Sequence, residues 1–283
     1  MSSTTHQHAV NQISTKKEAS VRRCCRVLGQ RKASIYYKHK RKNEDAQIAA
    51  MLKGKAIEQP NWGFRLLFHW CRNQGKPWNK KRVYRIYKAE KLNLRSPKAR
   101  KKIKRVAINP LPAEQINQGW SMDFLSDVLL SDERKVRVLN VLDECSRKVL
   151  LSFAAPSIKA RKLVKLLQEL ITQKGKPDYI RCDNGPEFIS RVLEKFTQEN
   201  GIEIRFSQPG KPTQNGLVER LNGTQRKECL NLKYFKTVQE VQRDLDIWWN
   251  SYNFDRPHSA LGYLTPQQFI DKNQNLYFKA VAA

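Results

Sequence analysis

Apolar positions along this chain keep two rhythms, and the change between them divides it. Up to about Leu94 they recur at helical spacing. Val21, Cys24, Cys25 and Leu28 form one stripe; Ser20 can cap it, Gly29 suits the turn, and Ser34-Ile35-Tyr36-Tyr37 begins a second short helix. Residues 65–73 read as a helix, Gly75 and Pro77 as a turn. Asn79 then caps a helix with Val83, Ile86 and Tyr87 on one face. Two short helices about a glycine turn suggest helix-turn-helix geometry, and the unit spanning 62–94 repeats the pattern, although an ordinary helical hairpin reads the same way.

From Trp120 the rhythm becomes alternation. Trp120, Met122 and Phe124 alternate with Ser121, Asp123 and Leu125, so Asp123 points away from the tryptophan face of a strand. Residues 136–142 and 149–153 predict two more strands. The stretch 159–173 is helical, with Leu163, Val164, Leu167, Leu170 and Ile171 as its stripe, and Gly175-Lys-Pro177 ends it. A short strand over 178–181 leaves Asp183 just past its C-terminal end. A helix over 186–200 buries Phe188, Ile189, Val192, Leu193 and Phe196, and Gly201 closes it. A fifth strand covers 202–206, and a helix from near Asn215 to about Leu230 carries Glu219. Val238, Val241, Leu245, Trp248 and Trp249 then mark an amphipathic helix over 238–252.

The order β-β-β-α-β-α-β-α predicts an α/β protein: a mixed five-stranded sheet with flanking helices, the order of the ribonuclease H-like fold, preceded by small all-α helix-turn-helix modules. The expected parts are a flexible leader (1–19), a helical DNA-binding region (20–94), a basic linker (95–117), a catalytic core (118–235) and a C-terminal helical extension (236–283).

Charge adds a partner to this picture. Lys and Arg total 54 against 26 acids in 283 residues, a net charge of +28. Such an excess draws a protein to polyanions, nucleic acid first; charge serving only solubility is the bland alternative. The stretch 95–105 is strongly basic and holds no acid. It reads as a linker that also follows a phosphate backbone, with Lys101 and Lys102 as contacts. Lys80, Lys81, Arg82, Arg85 and Lys88 surround the second predicted helix pair, as a phosphate-facing surface or as a solvated face. No apolar run is long enough to span a membrane and the N-terminus lacks a signal-peptide core, so a cytoplasmic, nucleoid-associated protein is expected. The six cysteines are scattered without a Cys-x-x-Cys pair, which predicts free thiols. His6, His8, Cys24 and Cys25 lack tetrahedral zinc spacing.

Three acids carry the candidate chemistry. Asp123 lies in the first strand, Asp183 follows the fourth, and Glu219 lies on the next helix. Mg²⁺ takes hard oxygen ligands and only a few carboxylates, so acids from separate elements must converge to hold it. Two such ions can activate an attacking oxygen and stabilise a leaving one in phosphodiester chemistry. Asn184-Gly185-Pro186 makes a tight turn that aims Asp183. Arg226 lies two helical turns beyond Glu219 on the same face, placed for substrate phosphate, with Lys227 as its neighbouring alternative. The loop 209–216, with Lys211 and Asn215, is rich in Gly and Pro and reads as a segment DNA could order. Glu187 is a competing third ligand, although a carboxylate in a first helical turn is also stabilised by the helix dipole. Asp127, Asp143 and Glu144 are further candidates, with Asp143 placed to serve a turn or a salt bridge.

At these residues the chain resembles insertion-sequence transposases encoded in two overlapping frames, and specifically their downstream catalytic half; its core is also similar to that of retroviral integrases. The matching runs are Trp120-Ser-Met-Asp-Phe124, Asp143-Glu-Cys-Ser-Arg147, Asp183-Asn-Gly-Pro-Glu-Phe188 and the stretch from Gln208 to Asn222. Tyr252-Asn-Phe-Asp-Arg-Pro-His258, Leu261-Gly-Tyr-Leu-Thr-Pro266 and Trp62-Gly-Phe-Arg65 match as well. The resemblance implies a recombinase with Asp123, Asp183 and Glu219 as its catalytic and metal-binding triad, Arg226 as the basic position that follows, and Arg220 among the DNA contacts. It implies Mg²⁺ as cofactor, two ions with Mn²⁺ able to substitute. Water nicks DNA at the element end, and a DNA 3′-hydroxyl then attacks a second phosphodiester. The implied partners are DNA (element ends and target), an upstream transposase subunit or its fused form, and further copies of the chain on DNA. That subunit's leucine zipper has no counterpart here, since no sustained heptad occurs. A DNA-binding accessory or regulatory fragment without chemistry is therefore the alternative expectation. His258 is a DNA contact or a structural member of its Arg-Pro-His turn.

Overall fold

The structure, a computed structural model, describes residues 10, 12–13, 19–36, 42–94, 113–208 and 215–276. The alternation that starts at Trp120 forms the middle of a five-stranded sheet, ordered β3-β2-β1-β4-β5. β1 (Gly119–Leu129) pairs antiparallel with β2 (Lys135–Asp143), and β2 antiparallel with β3 (Val149–Ala155). On its other edge β1 pairs parallel with β4 (Tyr179–Cys182), and β4 parallel with β5 (Glu203–Phe206). This is the expected ribonuclease H-like arrangement.

Period-two alternation gives the sheet two separate cores. Trp120 and Met122 of β1, with Leu139 and Val141 of β2, are buried under α6 (Ala160–Lys174) and α7 (Arg191–Glu199), which contribute Leu163, Leu167 and Leu193. Leu125, Val138 and Leu142 face the opposite side, under α8 (Gly216–Gln225) and α9 (Val238–Asn250). Val218 and Leu221 of α8 and Val241, Leu245 and Trp248 of α9 fill that layer. The C-terminal extension is thus part of the sheet's cover. α8 and α9 each run on into one π-helical turn, Arg226–Leu230 and Ser251–Asp255.

α7 begins later than the apolar pattern predicts. Ser190 caps it, accepting from the Leu193 N–H at 3.3 Å. Ahead of it, the N–H groups of Phe188 and Ile189 both donate to the Gly185 carbonyl in a tight turn. Phe188 is buried and stacks on Phe124 at 4.9 Å, but Ile189 and Val192, expected inside, are 58% and 42% exposed. A cap side chain at Ser190 outweighs the propensity of the residues before it. Glu187 therefore lies outside the helix and owes nothing to its dipole.

Contacts divide the chain into residues 1–50 and 51–283. In the first unit, α1 (Val21–Val27) is capped by Ser20, and Gly29 takes φ +60° before α2 (Lys32–Tyr36). Cys24, Cys25, Ile35 and Val10 bury together. α3 (Lys42–Glu58) was not legible as a stripe. In the larger unit, α4 (Phe64–Asn73) and α5 (Lys80–Ala89) form the expected pair, with Asn79 accepting from the Lys81 N–H at 2.9 Å. Phe64 packs on Tyr84 and Tyr87 at 4.7 and 5.4 Å. The pair rests on the chain that follows the sheet. His69 stacks on Tyr263 at 3.5 Å, Asn73 donates to the Tyr263 carbonyl at 3.0 Å, and Lys55 meets Asp255 at 3.2 Å. α10 (Pro266–Lys272) opens on a capping box at Thr265. All six cysteines are free, as expected. Among the described residues no helix is long and apolar enough to cross a membrane.

Candidate active site

The parallel register of β1 and β4 pairs Ser121 with Arg181. Two residues further along each strand, this register brings Asp123, in the middle of β1, beside Asp183, just past the end of β4. Asp123 is half-buried and Asp183 exposed. The Asp183 Oδ1 accepts the Gly185 N–H at 3.0 Å, which turns the side chain back over the turn. A Cβ at Gly185 would sit 3.1 Å from that oxygen and 3.3 Å from the Phe188 ring, so the turn is tight enough to favour glycine.

Glu219 arrives from the other face. α8 lays Val218, Leu221, Asn222 and Gln225 on the sheet, which leaves Glu219, in its first turn, exposed. The three acids share one electrostatic site. Burial, then the Asp183 charge and also that of Glu219, push the Asp123 carboxyl up to about 6. Burial and Asp183 likewise raise Glu219. Like charges brought this close disfavour one another's ionised form, and a cation among them relieves that. Among the described residues no group of three His, Cys, Asp or Glu stands ready to hold a metal ion. Mg²⁺ does not need one, since it keeps several waters and takes one or two carboxylates. The donor set, hard oxygens converging from three elements, fits such an ion.

A chain of amides, absent from the sequence reading, fixes α8 over the acids. Asn222 donates to the Asp123 Oδ2 at 2.8 Å, and its oxygen accepts from Asn140 of β2 at 2.7 Å. Asn140 also donates to the Gln225 oxygen at 2.7 Å, and Gln225 donates to the Ser152 hydroxyl of β3 at 2.9 Å. Asn140 is the register partner of Asp123. Asn140 and Gln225 are wholly buried, so these bonds have no water to compete with, and a fully satisfied buried network specifies one arrangement. The helix carrying Glu219 is thereby held in register with the strand carrying Asp123.

The competing acids have other partners. Glu187 pairs with Arg137 of β2. Asp143 accepts from the N–H groups of Asn117 and Ser146 at 2.8 and 2.7 Å and from the Ser146 hydroxyl, which makes it the organiser of its turn. Glu144 is buried against Arg181 at 2.8 Å, with Tyr179 and Ser121 also donating to it. The side chain of Asp127 lies outside the described residues.

The expected DNA contacts fall in different places. Arg226 ends α8 and borders a groove with Val128, Leu130 and Tyr234. Lys227 is exposed, and its carbonyl accepts from Asn61. Arg220 lines a separate cavity with Arg65, Arg147 and Arg256. Asn215 departs from the expectation. It is only 3% exposed and donates to the Met122 carbonyl at 3.3 Å, so it ties the start of α8 to β1 instead of facing solvent. Lys101, Lys102 and Lys211 lie outside the described residues.

Two matches to the integrase core domain cover residues 113–212 and 200–266, which together span the sheet, α8 and α9. The chain is 34% identical to the insertion element IS407 uncharacterized 31.7 kDa protein of Burkholderia multivorans, over 93% of this chain and 94% of that one. It is 24% identical to the transposase InsD for insertion element IS2 of Escherichia coli, over 81% of this chain and 80% of that one. Among solved structures it is similar to a chain of the simian T-cell lymphotropic virus intasome bound to PP2A regulatory subunit B56 gamma, at 17% identity and a TM-score of 0.49, covering 83% of this chain and 76% of that one. With near end-to-end similarity to an insertion-element protein and an integrase core over its sheet, the chain belongs to the insertion-element transposases of the DDE, integrase-like type.

Proposed function

We propose that Asp123, Asp183 and Glu219 form the active site of a transposase that cuts DNA at the ends of an insertion sequence and joins the freed strand to target DNA. The observation that carries this reading is the convergence of the three acids on one site, where burial first and then the charges of Asp183 and Glu219 push Asp123 up to about 6. Divalent ions held by these acids, two Mg²⁺ with Mn²⁺ able to substitute, would supply Lewis-acid stabilisation of the attacking and leaving oxygens.

The chain's own residues position the reaction. Asn222 holds the Asp123 carboxylate, the Gly185 N–H holds Asp183, and Glu219 and Asp183 stay open to a DNA backbone. Arg226, with Lys227 beside it, offers a cation to the substrate on the same run of helix. Lys101, Lys102 and Lys211 add phosphate contacts from the basic linker and from the loop before α8. In the first step water attacks the phosphodiester at the element end and releases a 3′-hydroxyl. In the second that hydroxyl attacks a target phosphodiester and displaces a target 3′-oxygen, with no covalent protein–DNA bond. The partners are element-end and target DNA, an upstream subunit or its fused form, and other copies of the chain assembled on DNA at the bacterial nucleoid.

The test is strand cleavage and joining by purified protein, alone and with the upstream subunit, on DNA bearing the element ends. Asp183→Asn is expected to abolish both steps in Mg²⁺. Joining by that variant at the wild-type rate would remove Asp183 from the site.

A further inference from the structure

A cavity of about 370 Å³ lies beside α8 and the end of β2, lined by Arg65, Arg147, Arg220, Arg256 and His258 among others, with no acid in its lining. It gathers three motifs from far apart in sequence: the start of α4, the turn between β2 and β3, and the Arg-Pro-His turn after α9. Arg256 is neutralised, since its Nε meets both oxygens of Glu228 at 3.0 and 3.1 Å. Arg147 is not. Its Nη1 is buried without a hydrogen-bond partner, and its backbone takes φ +60°, a left-handed conformation uncommon for a side chain of this size. Beside it the Nε2 of His258 is also buried and unpartnered. A buried donor without a partner is costly to leave unmet and favours an incoming acceptor, and strained backbone that aims such a group persists at ligand sites.

We propose that this cavity binds a phosphate of the DNA backbone, with Arg147 as the buried anchor and Arg65 and Arg220 as the exposed contacts at its mouth. The ligand's identity as DNA rests on the function proposed above; the anion chemistry does not. One helix serves both sites. Glu219 and Arg220 are adjacent on α8 but diverge around its axis, so the cavity and the acids are separated by about a helix diameter, roughly 10 Å. A strand whose scissile phosphate reaches Glu219 has further phosphates within reach of the arginines. The neutral His258, next to Arg147, accepts no second anion but can accept a hydrogen bond from a water or a protonated oxygen in the cavity.

The experiment uses the full chain in EDTA, so that no chemistry occurs, and two probes: inorganic phosphate against chloride at matched ionic strength, read as a thermal shift, and a DNA duplex read across a salt series. Arg147→Gln is expected to abolish the phosphate-specific thermal shift. It should weaken duplex binding about ten- to hundred-fold, as for a lost hydrogen bond to a charged group, and flatten the salt slope by about one. In phosphate-free buffer its melting temperature should not fall, because burial disfavours the charged form of Arg147 and the change removes that charge. If it does fall, Arg65→Gln/Arg220→Gln decides: these exposed residues should still flatten the slope, and an unchanged slope overturns the proposal. Loss of the phosphate shift with unaltered duplex binding would make the cavity a free-anion site and overturn its assignment to DNA. Asp183→Asn should keep the phosphate-specific thermal shift while losing cleavage and joining in Mg²⁺, so failure of the catalytic assignment is seen separately.

Discussion

Arg181 stands two residues before Asp183, and its buried partner Glu144 fixes how β4 meets β1. The Glu144 side chain is 1% exposed and that of Arg181 11%. The carboxylate accepts from Arg181 Nε at 2.8 Å, from the Tyr179 hydroxyl at 2.7 Å and from the Ser121 hydroxyl. Replacing Arg181 with Met leaves that carboxylate in the interior with only two hydroxyl donors. Breaking a buried pair this way costs about 3–5 kcal/mol. Arg181→Met/Glu144→Gln removes the orphaned charge as well, so it should recover about 1–3 kcal/mol of the loss in a double-mutant cycle. Urea unfolding at pH 7 in EDTA measures the four proteins. The cycle also has a pH signature. Burial alone pushes Glu144 up, but the bonds from Arg181, Ser121 and Tyr179 outweigh it and hold the carboxyl below its usual value of 4.5. A depressed folded pKa contributes stability above the unfolded value and loses it as pH falls through the folded one. In Arg181→Met the main donor is gone and burial dominates, so the carboxyl protonates more readily. Its deficit relative to wild type should therefore shrink from pH 7 towards pH 5. Strictly additive single-variant costs, or a deficit that grows on acidification, would refute the reasoning.

Gly119→Ala should destabilise by about 1–3 kcal/mol in urea unfolding, as overpacking does: its Cβ would lie 2.2 Å from the Tyr179 ring, whose hydroxyl is tethered to Glu144 and cannot swing away. Asp183→Asn, expected to be inactive, should unfold no more easily than wild type in EDTA and gain up to about 1 kcal/mol, because it removes a charge that repels Asp123; a clear loss of stability would contradict this. Burial, with Arg256 and Arg147 adding repulsion and the Tyr252 carbonyl opposing, lowers the His258 pKa from 6.5 to about 3. The unfolded chain then binds the extra proton below pH 6.5, so stability should fall on acidification from 6.5 towards 3, by up to about 1.4 kcal/mol per pH unit. His258→Asn, which can still donate to the Tyr252 carbonyl, should flatten that slope in urea unfolding at pH 7, 6 and 5; an unaltered slope would place the titration elsewhere.

What the sequence discloses, and where it falls silent, follows from the range of the interactions involved. The strand order was legible because alternation is a local pattern: Trp120 and Met122 against Asp123 already assigns the two sheet faces. Caps were legible for the same reason, and Ser20 and Asn79 accept the N–H groups expected of them. α7 was placed too early because Phe188 and Ile189 extend its apolar stripe in sequence, while in space a turn at Gly185 and the Ser190 cap cut it off. α3 left no stripe because its apolar burial centres on Ile48 and Leu52.

The site divides along the same line. Asp183 and Glu219 sit in distinctive local text, but the groups that set their geometry do not. Asn140, Gln225 and Ser152 look like unremarkable polar positions on two strands and a helix, and only the register of β1 on β2 makes them a network ending on Asp123. On the assignment proposed above, that network accounts for the choice of Glu219 over Glu187. Asn222 and Gln225 bond the sheet, which fixes the rotation of α8 and turns Glu219 towards the aspartates, whereas Glu187 is already bonded to Arg137. Moving Glu187 into the site would require breaking that pair and leaving Arg137 half-buried without it. A carboxylate with no ion-pair partner among the described residues, held by a helix bonded to the sheet, is the one available to a cation.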